Sequence, residues 1–162
     1  TPFVGAALGR AQALGARTVF LSCTAPPPQM ADSCDECITV LVGPEVVTGS
    51  TRLKAGTATK LVLNLLTTGA MVRLGKTYGN LMVDLQVRNR KLADRGERIV
   101  MEVAGVDRDA ARAALEAAGG SVRTAIVMLR TGGDRPTAER RIDDANGRLR
   151  AILGDPPPVE PS

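Results

Sequence analysis

The chain has 162 residues, a formal net charge of +4 and 23% charged side chains, which suits one ordinary domain or two small ones. Only 2% of the residues are aromatic, so platforms for stacking bases are nearly absent and we expect no nucleic-acid partner. No apolar run reaches the roughly 18 residues of a transmembrane helix, and no charged-then-apolar leader is visible. The sequence therefore predicts a cytoplasmic protein without a membrane partner.

The chain opens with a helical pattern. Apolar side chains recur at helical spacing over residues 3–14, as on one face of an α-helix. Thr1 is placed to act as the N-cap, and Pro2 stands at the first helical position. Gly15 predicts the end of this helix.

Two short strands are predicted next. Residues 18–23 and 37–42 are apolar runs rich in β-branched side chains. Three consecutive prolines at 26–28 force a loop between them, and residues 30–34 have the length of one helical turn. Short apolar strands separated by helices are typical of a parallel sheet covered by helices on both faces.

Three cysteines fall in this region, and two of them, Cys34 and Cys37, have the spacing of some zinc and redox sites. A structural zinc needs four ligands as a rule, and the chain has no histidine. A redox pair commonly opens a helix after a strand, whereas Cys37 is predicted to open a strand. We therefore expect reduced thiols and no metal.

A hydroxyl-rich and cationic cluster stands at the apparent start of a long helix over residues 50–74. It consists of Ser50, Thr51, Arg52 and Lys54. Free N–H groups and the helix dipole favour anions at such a start. Ser50 and Thr51 are candidates to bind a phosphate or a hydroxyl group, or only to cap the helix. Arg52 and Lys54 are candidates to supply charge to an anion, or to pair with acids at a subunit interface.

Glu45 is the carboxylate nearest to this cluster in sequence. One interpretation makes it an acceptor for a ligand hydroxyl or an auxiliary base. The alternative, which we favour, makes it a loop residue that pairs with Arg52 or caps the following helix.

The composition beyond residue 88 becomes rich in alanine and arginine. Residues 78–85 fit a strand or a helix, and we favour a helix. Further helices are predicted over residues 89–104, 107–118, 121–131 and 136–153, punctuated by glycines. Asp107 and Ser121 are good N-caps. The pattern GVDRDAARAALEAAGGSVRTAIVML resembles the small three-helix ubiquitin-associated-like fold, and residues 155–162 are predicted to be a disordered tail.

One stretch also carries a family resemblance. It is similar to the N-acetylmuramic acid 6-phosphate etherase family, whose members contain a sugar-phosphate isomerase-type (SIS) domain. The matching segments are PE at 44–45, TGSTRLKAGTATKLVLN at 48–64, TGAMVRLGK at 68–76 and YGNLMVD at 78–84. The resemblance implies an α/β fold: the C-terminal half of a doubly wound parallel-sheet SIS domain over residues 1–88, then a helical ubiquitin-associated-like domain over 89–154.

The resemblance also implies a function. The family removes the D-lactyl ether of N-acetylmuramic acid 6-phosphate, giving N-acetylglucosamine 6-phosphate and D-lactate in cell-wall amino-sugar recycling. The chemistry needs a base and an acid but no cofactor. The family's glutamates for these roles lie ahead of the part that matches Thr1, so we assign no catalytic residue here and expect this fragment to be inactive alone. Substrate binding by Ser50, Thr51, Arg52 and Lys54 is expected, as is a homodimer.

Two alternatives remain at this point. A non-catalytic sugar-phosphate-binding regulatory protein of the SIS family would share the TGSTRLKAGTATK segment. A basic helical interaction module has only the arginine-rich second half in its favour. An acid/base pair ahead of Thr1 would distinguish the enzyme from the regulator.

Overall fold

The structure is a computed structural model and describes residues 2–158. It is a mixed α/β chain with a small parallel sheet and several helices. Its contacts divide it into two compact units, Thr1–Thr67 and Thr68–Ser162. Thr1, with its predicted capping role, lies outside the described residues, as do residues 159–162 of the predicted disordered tail.

The first unit contains the parallel sheet predicted from the sequence. Its strands pair in parallel with Val19 opposite Glu36 and Ser22 opposite Thr39. Short helices precede and separate the strands, and a long helix follows them. The elements are α1 (Pro2–Ala13), β1 (Val19–Ser22), α2 (Pro28–Ala31), β2 (Glu36–Thr39) and α3 (Lys54–Arg73).

A buried threonine and an aspartate align the starts of the two strands. The carboxylate of Asp35 accepts hydrogen bonds from the backbone N–H (2.6 Å) and the hydroxyl (2.8 Å) of Thr18. The same bonds hold the pKa of Asp35 below its ordinary value. Thr18 is the one residue among 2–67 that is buried. Hydrogen bonds between Thr18 and Asp35, rather than a deep apolar core, therefore fix this end of the sheet.

Helix α3 begins at Lys54, four residues later than predicted. Residues 51–53 form turns instead of the first helical turn. The helix ends at Arg73, close to the predicted end. No residue along it is fully buried, and apolar side chains on more than one face are exposed: Leu61, Leu63, Leu65, Leu66, Met71 and Val72.

The second unit opens with a β-hairpin, so the helix favoured for residues 78–85 is wrong. Strands β3 (Thr77–Tyr78) and β4 (Leu81–Met82) pair antiparallel around a two-residue turn. Gly79, the first turn residue, has φ +60°, the region that a tight hairpin of this kind requires of its first position.

The segment after the hairpin is part of the core of this unit. Val83 and Leu85 are buried. The carbonyl of Leu85 accepts from the N–H of Val122 (3.1 Å), and the N–H of Val87 donates to Gly120 (2.9 Å). The extended segment thus packs against the connection between two helices.

Five helices follow the hairpin within the described residues of the second unit. They are α4 (Arg90–Ala104), α5 (Arg108–Ala117), α6 (Val122–Thr131), α7 (Arg135–Asp144) and α8 (Leu149–Leu153). The side chains of Asn89, Asp107 and Ser121 accept a backbone N–H three residues on, as expected of N-caps. The single helix predicted over residues 136–153 is wrong, because left-handed residues at Asn146 and Gly147 separate α7 from α8.

The largest fully buried side chains all lie in this second unit, and they include Val100, Ile126 and Leu149. The hairpin also reaches the end of the described chain. The hydroxyl of Tyr78 lies 3.1 Å from the carbonyl oxygen of Gly154 and 2.9 Å from that of Asp155. The predicted domain boundary at residue 88 stays a prediction, whereas the compact unit itself begins at Thr68. Within residues 2–158, no helix is both long and apolar enough to cross a membrane.

Candidate functional site

The candidate site lies in the first unit, where the chain passes from β2 into α3. The thiol of Cys23, one residue after β1, is 3.4 Å from the carbonyl oxygen of Ala55 and 3.4 Å from the hydroxyl of Thr59. The first turns of α3 therefore lie beside the carboxyl end of β1. Ligands of open α/β sheets bind at the carboxyl ends of parallel strands, so this is the end of the sheet where a site is expected.

Glu45 occupies the start of α3. Its two carboxylate oxygens accept the backbone N–H groups of Lys54 (2.9 Å) and Ala55 (3.0 Å), the first two residues of the helix. These bonds, the one from Ala55 first, hold the pKa of Glu45 below its ordinary value. Glu45 therefore caps α3, as the favoured alternative predicted, and binds backbone rather than the side chain of Arg52.

Ser50 and Thr51 do not cap the helix, because Glu45 takes its first two N–H groups. Their backbone instead builds consecutive turns. The N–H of Ser50 donates to Val47 (3.0 Å), and the carbonyl of Thr51 accepts from the N–H of Gly56 (2.8 Å). Ser50 is half-buried and Thr51 is exposed. Neither hydroxyl enters a hydrogen bond among residues 2–158, which leaves both able to meet a ligand.

The two cations of the cluster differ in their surroundings. The ammonium of Lys54 donates to the carbonyl oxygen of Pro44 (2.8 Å), which turns this charge back onto the start of the loop. Arg52 is exposed. The guanidinium of Arg52 is therefore accessible to a ligand. A guanidinium can bind a phosphate or a carboxylate with two parallel hydrogen bonds.

An open depression of about 580 Å³ adjoins the cluster. It is lined by Val42, Leu53, Lys54 and Thr57. Its wall is mainly apolar, so it suits the carbon skeleton of a ligand whose polar groups reach the neighbouring hydroxyls.

The cysteine pair has no feature of a reactive site. Burial, with Cys37 second, raises the pKa of Cys34, which disfavours the thiolate that redox and metal chemistry need. The thiol of Cys34 donates to the carbonyl oxygen of Ala31 (3.2 Å). Among residues 2–158, no group of three or more side chains of metal-ligating type comes together.

These features define an α/β protein with a hydroxyl-rich turn at the carboxyl end of its parallel strands. No protein-family model matches the chain. The curated relatives described next match nearly all of it, and each is named N-acetylmuramic acid 6-phosphate etherase.

The chain is 51% identical over 154 residues to the etherase of Mycolicibacterium smegmatis, covering 95% of this chain and 51% of that protein. It is 54% identical over 151 residues to the etherase of Thermosynechococcus vestitus, covering 93% of this chain and 49% of that protein. It is 48% identical over 155 residues to the etherase of Deinococcus radiodurans, covering 96% of this chain and 50% of that protein. The chain is thus a homologue of the C-terminal part of the N-acetylmuramic acid 6-phosphate etherases, which confirms the predicted resemblance. It spans about half the length of these relatives.

Proposed function

We propose that this protein acts as an N-acetylmuramic acid 6-phosphate etherase, a carbon–oxygen lyase. The observation that carries the proposal is the identity of about half of all aligned residues, over almost the whole chain, to proteins of that name. The parallel pairing of β1 and β2 and the hydroxyl-rich turn before α3 support a sugar-phosphate ligand and an SIS-type doubly wound sheet of which this chain forms a part.

The proposed reaction is an elimination followed by a hydration. A base removes the proton from C2 of the open-chain sugar, next to the C1 carbonyl. The C3–O bond then breaks as an acid protonates the departing ether oxygen, which releases D-lactate. Water adds to the resulting C2–C3 double bond and gives N-acetylglucosamine 6-phosphate. No electron acceptor or cofactor is consumed, because every atom of the product comes from substrate and water.

The candidate site contributes binding rather than proton transfer in this proposal. The free hydroxyls of Ser50 and Thr51 contact the sugar phosphate, and the exposed Arg52 supplies positive charge. Lys54 supplies a second positive charge, and its ammonium, which donates one hydrogen bond to Pro44, has further N–H groups for the ligand. Glu45 is a poor base here, since two N–H groups stabilise its ionised form.

We further propose a homodimer, a cytoplasmic location and a ubiquitin-associated-like arrangement of α4, α5 and α6. The exposed leucines of α3 support association. The mutual packing of the three helices supports the arrangement: Val100 of α4, Ala111 of α5 and Ile126 of α6 all lie in one buried cluster.

The test is lactate release from N-acetylmuramic acid 6-phosphate by the full-length protein that contains this segment. Release of D-lactate together with N-acetylglucosamine 6-phosphate is expected. Tight sugar-phosphate binding without lactate release would instead support the regulatory alternative. The 162-residue chain tested alone is expected to release none, since the family's acid and base residues lie ahead of the part that matches Thr1.

A further inference from the structure

We propose that Glu45 is a positioning residue, whose carboxylate holds the turn of residues 46–53 against the start of α3 in the form that presents Ser50 and Thr51 to ligand. This inference rests on the proposed function for the identity of the ligand, a sugar phosphate. The holding of the turn itself rests only on contacts within the first unit.

The first argument is the way the turn is closed. The side chain of Glu45 bonds the N–H groups of Lys54 and Ala55, so one side chain joins the residue before the turn to the two residues after it. The ammonium of Lys54 returns to Pro44 and adds a second closure at the same place. Both ends of the turn are thereby tied to each other, while Cys23 separately joins Ala55 to the end of β1.

The second argument is that the turn has little apolar anchorage. Val46 and Val47 are 85% and 58% exposed, and no residue between 46 and 53 is fully buried. Segments with few buried contacts open at low free-energy cost. The carboxylate of Glu45 therefore acts together with the backbone bonds of Ser50 and Thr51 to fix the position of these two residues.

The third argument is electrostatic. A helix start with free N–H groups attracts anions, but Glu45 already supplies a negative charge there. A ligand phosphate at this place would meet a carboxylate. The ligand is thus directed to the hydroxyls of the turn and to Arg52, and away from the start of α3.

Three variants separate the possible roles of Glu45 in the full-length protein. Glu45→Ala removes both acceptors. Glu45→Gln keeps one oxygen but places an amide NH₂ against the second N–H, and Glu45→Asp keeps the carboxylate on a shorter side chain. We expect Glu45→Asp to lose less than Glu45→Ala and Glu45→Gln, because only a carboxylate offers one acceptor oxygen to each of the two N–H groups.

The first readout is limited digestion with trypsin, which cleaves after Arg52 when the turn opens. Cleavage there should accelerate by about tenfold in Glu45→Ala and Glu45→Gln, because cleavage of a segment follows the population of its open form. Cleavage after the exposed Arg17, in the same unit, should not change. Equal cleavage after Arg52 in wild type and Glu45→Ala would overturn the proposal, as would equal acceleration at both sites, which indicates general unfolding.

The second readout is steady-state kinetics on N-acetylmuramic acid 6-phosphate. KM should rise by about tenfold in Glu45→Ala, with a smaller change in kcat, because misplaced binding groups weaken substrate binding before they alter the chemistry. A fall in kcat with KM unchanged would make Glu45 a proton-transfer residue and overturn the positioning role. If wild type releases no lactate, the proposed function fails, while digestion still decides whether Glu45 holds the turn.

Discussion

Asp84 and Arg123 form an ion pair of 2.7 Å in the second unit, between the segment after β4 and helix α6. The ammonium of Lys76 approaches the other oxygen of the same carboxylate at 2.6 Å. The side chains of Asp84 and Arg123 are only about a quarter exposed. Partial shielding from water makes such a pair worth more than one on the open surface.

Replacement of Asp84 by Asn should destabilise the protein. The variant leaves Arg123 and Lys76 without their anion, at a cost of about 1–3 kcal/mol. Urea unfolding at neutral pH measures the change. Asp109→Asn is the matched control, because Asp109 is almost fully exposed and lies 3.6 Å from Arg112. Equal stability of the two variants would contradict a structural role for Asp84.

The effect of Asp84 should also depend on pH. The hydrogen bond from Lys76 holds the pKa of Asp84 below its ordinary value. A carboxyl group with a lowered folded-state pKa stabilises the protein above its unfolded-state pKa and loses that contribution as pH falls through the folded-state value. The stability difference between wild type and Asp84→Asn should thus be full at pH 7 and shrink as the pH falls below about 4. A difference that is constant down to pH 2 would disagree with this.

Gly75 should tolerate alanine less well than Gly105 does. Both have left-handed backbones, with φ of +71° and +69°, so each substitution costs about 1–2 kcal/mol from strain. A Cβ at Gly75 would lie 2.8 Å from the backbone of Gly147, whereas one at Gly105 meets no atom within 4 Å. Gly75→Ala should therefore cost about 1–3 kcal/mol more, as measured by urea unfolding of both variants. Similar losses would show that residues 146–148 move aside freely.

Ser50→Ala should weaken ligand binding in the full-length protein without lowering its melting temperature. Its hydroxyl does not cap α3, and the backbone bonds of Ser50 survive the substitution. A lost hydrogen bond to a sugar phosphate costs about 1–3 kcal/mol of affinity, which calorimetry resolves. Thr48→Ala, in the same exposed segment, serves as the control. Unchanged affinity in Ser50→Ala would remove Ser50 from the candidate site.

Hydrogen exchange in the 162-residue chain should distinguish the two units. Residues 18–42 are expected to exchange early, because a two-stranded sheet without a deep apolar core opens readily. Residues 107–129 should be protected, since they carry buried side chains such as Ile126 and Val127. Uniformly slow exchange across both segments would contradict the expected difference.

Short-range patterns in the sequence predicted much of the fold. Apolar runs located β1 and β2, and glycine spacing with the caps at Asp107 and Ser121 located α5 and α6. These features depend on residues within a few positions of one another. The sequence also contained the turn signal of the hairpin, a glycine followed by Asn80, but the apolar residues on either side gave two periods that could not be separated.

The start of α3 could not be read from local sequence. Ser50 and Thr51 have the composition of an N-cap, and Lys54 follows at a suitable distance for a first turn. The cap is instead Glu45, nine positions before the first residue of the helix. A capping residue so far from the helix start in sequence gives no recognisable spacing pattern. The sequence could therefore suggest that Glu45 caps α3, but it could not predict its bonds to the N–H groups of Lys54 and Ala55.

The proposed homodimer, if it forms through the exposed leucines of α3, links the stability of this protein to its concentration. Apolar surface gains about 25 cal/mol for each Å² removed from water, and Leu65 and Leu61 leave much of theirs exposed. Any molecule that covers them binds the folded form and raises its stability in proportion to the logarithm of that molecule's concentration. For a chain that pairs through these leucines, the melting temperature rises with protein concentration, and melts recorded over a dilution series measure that rise.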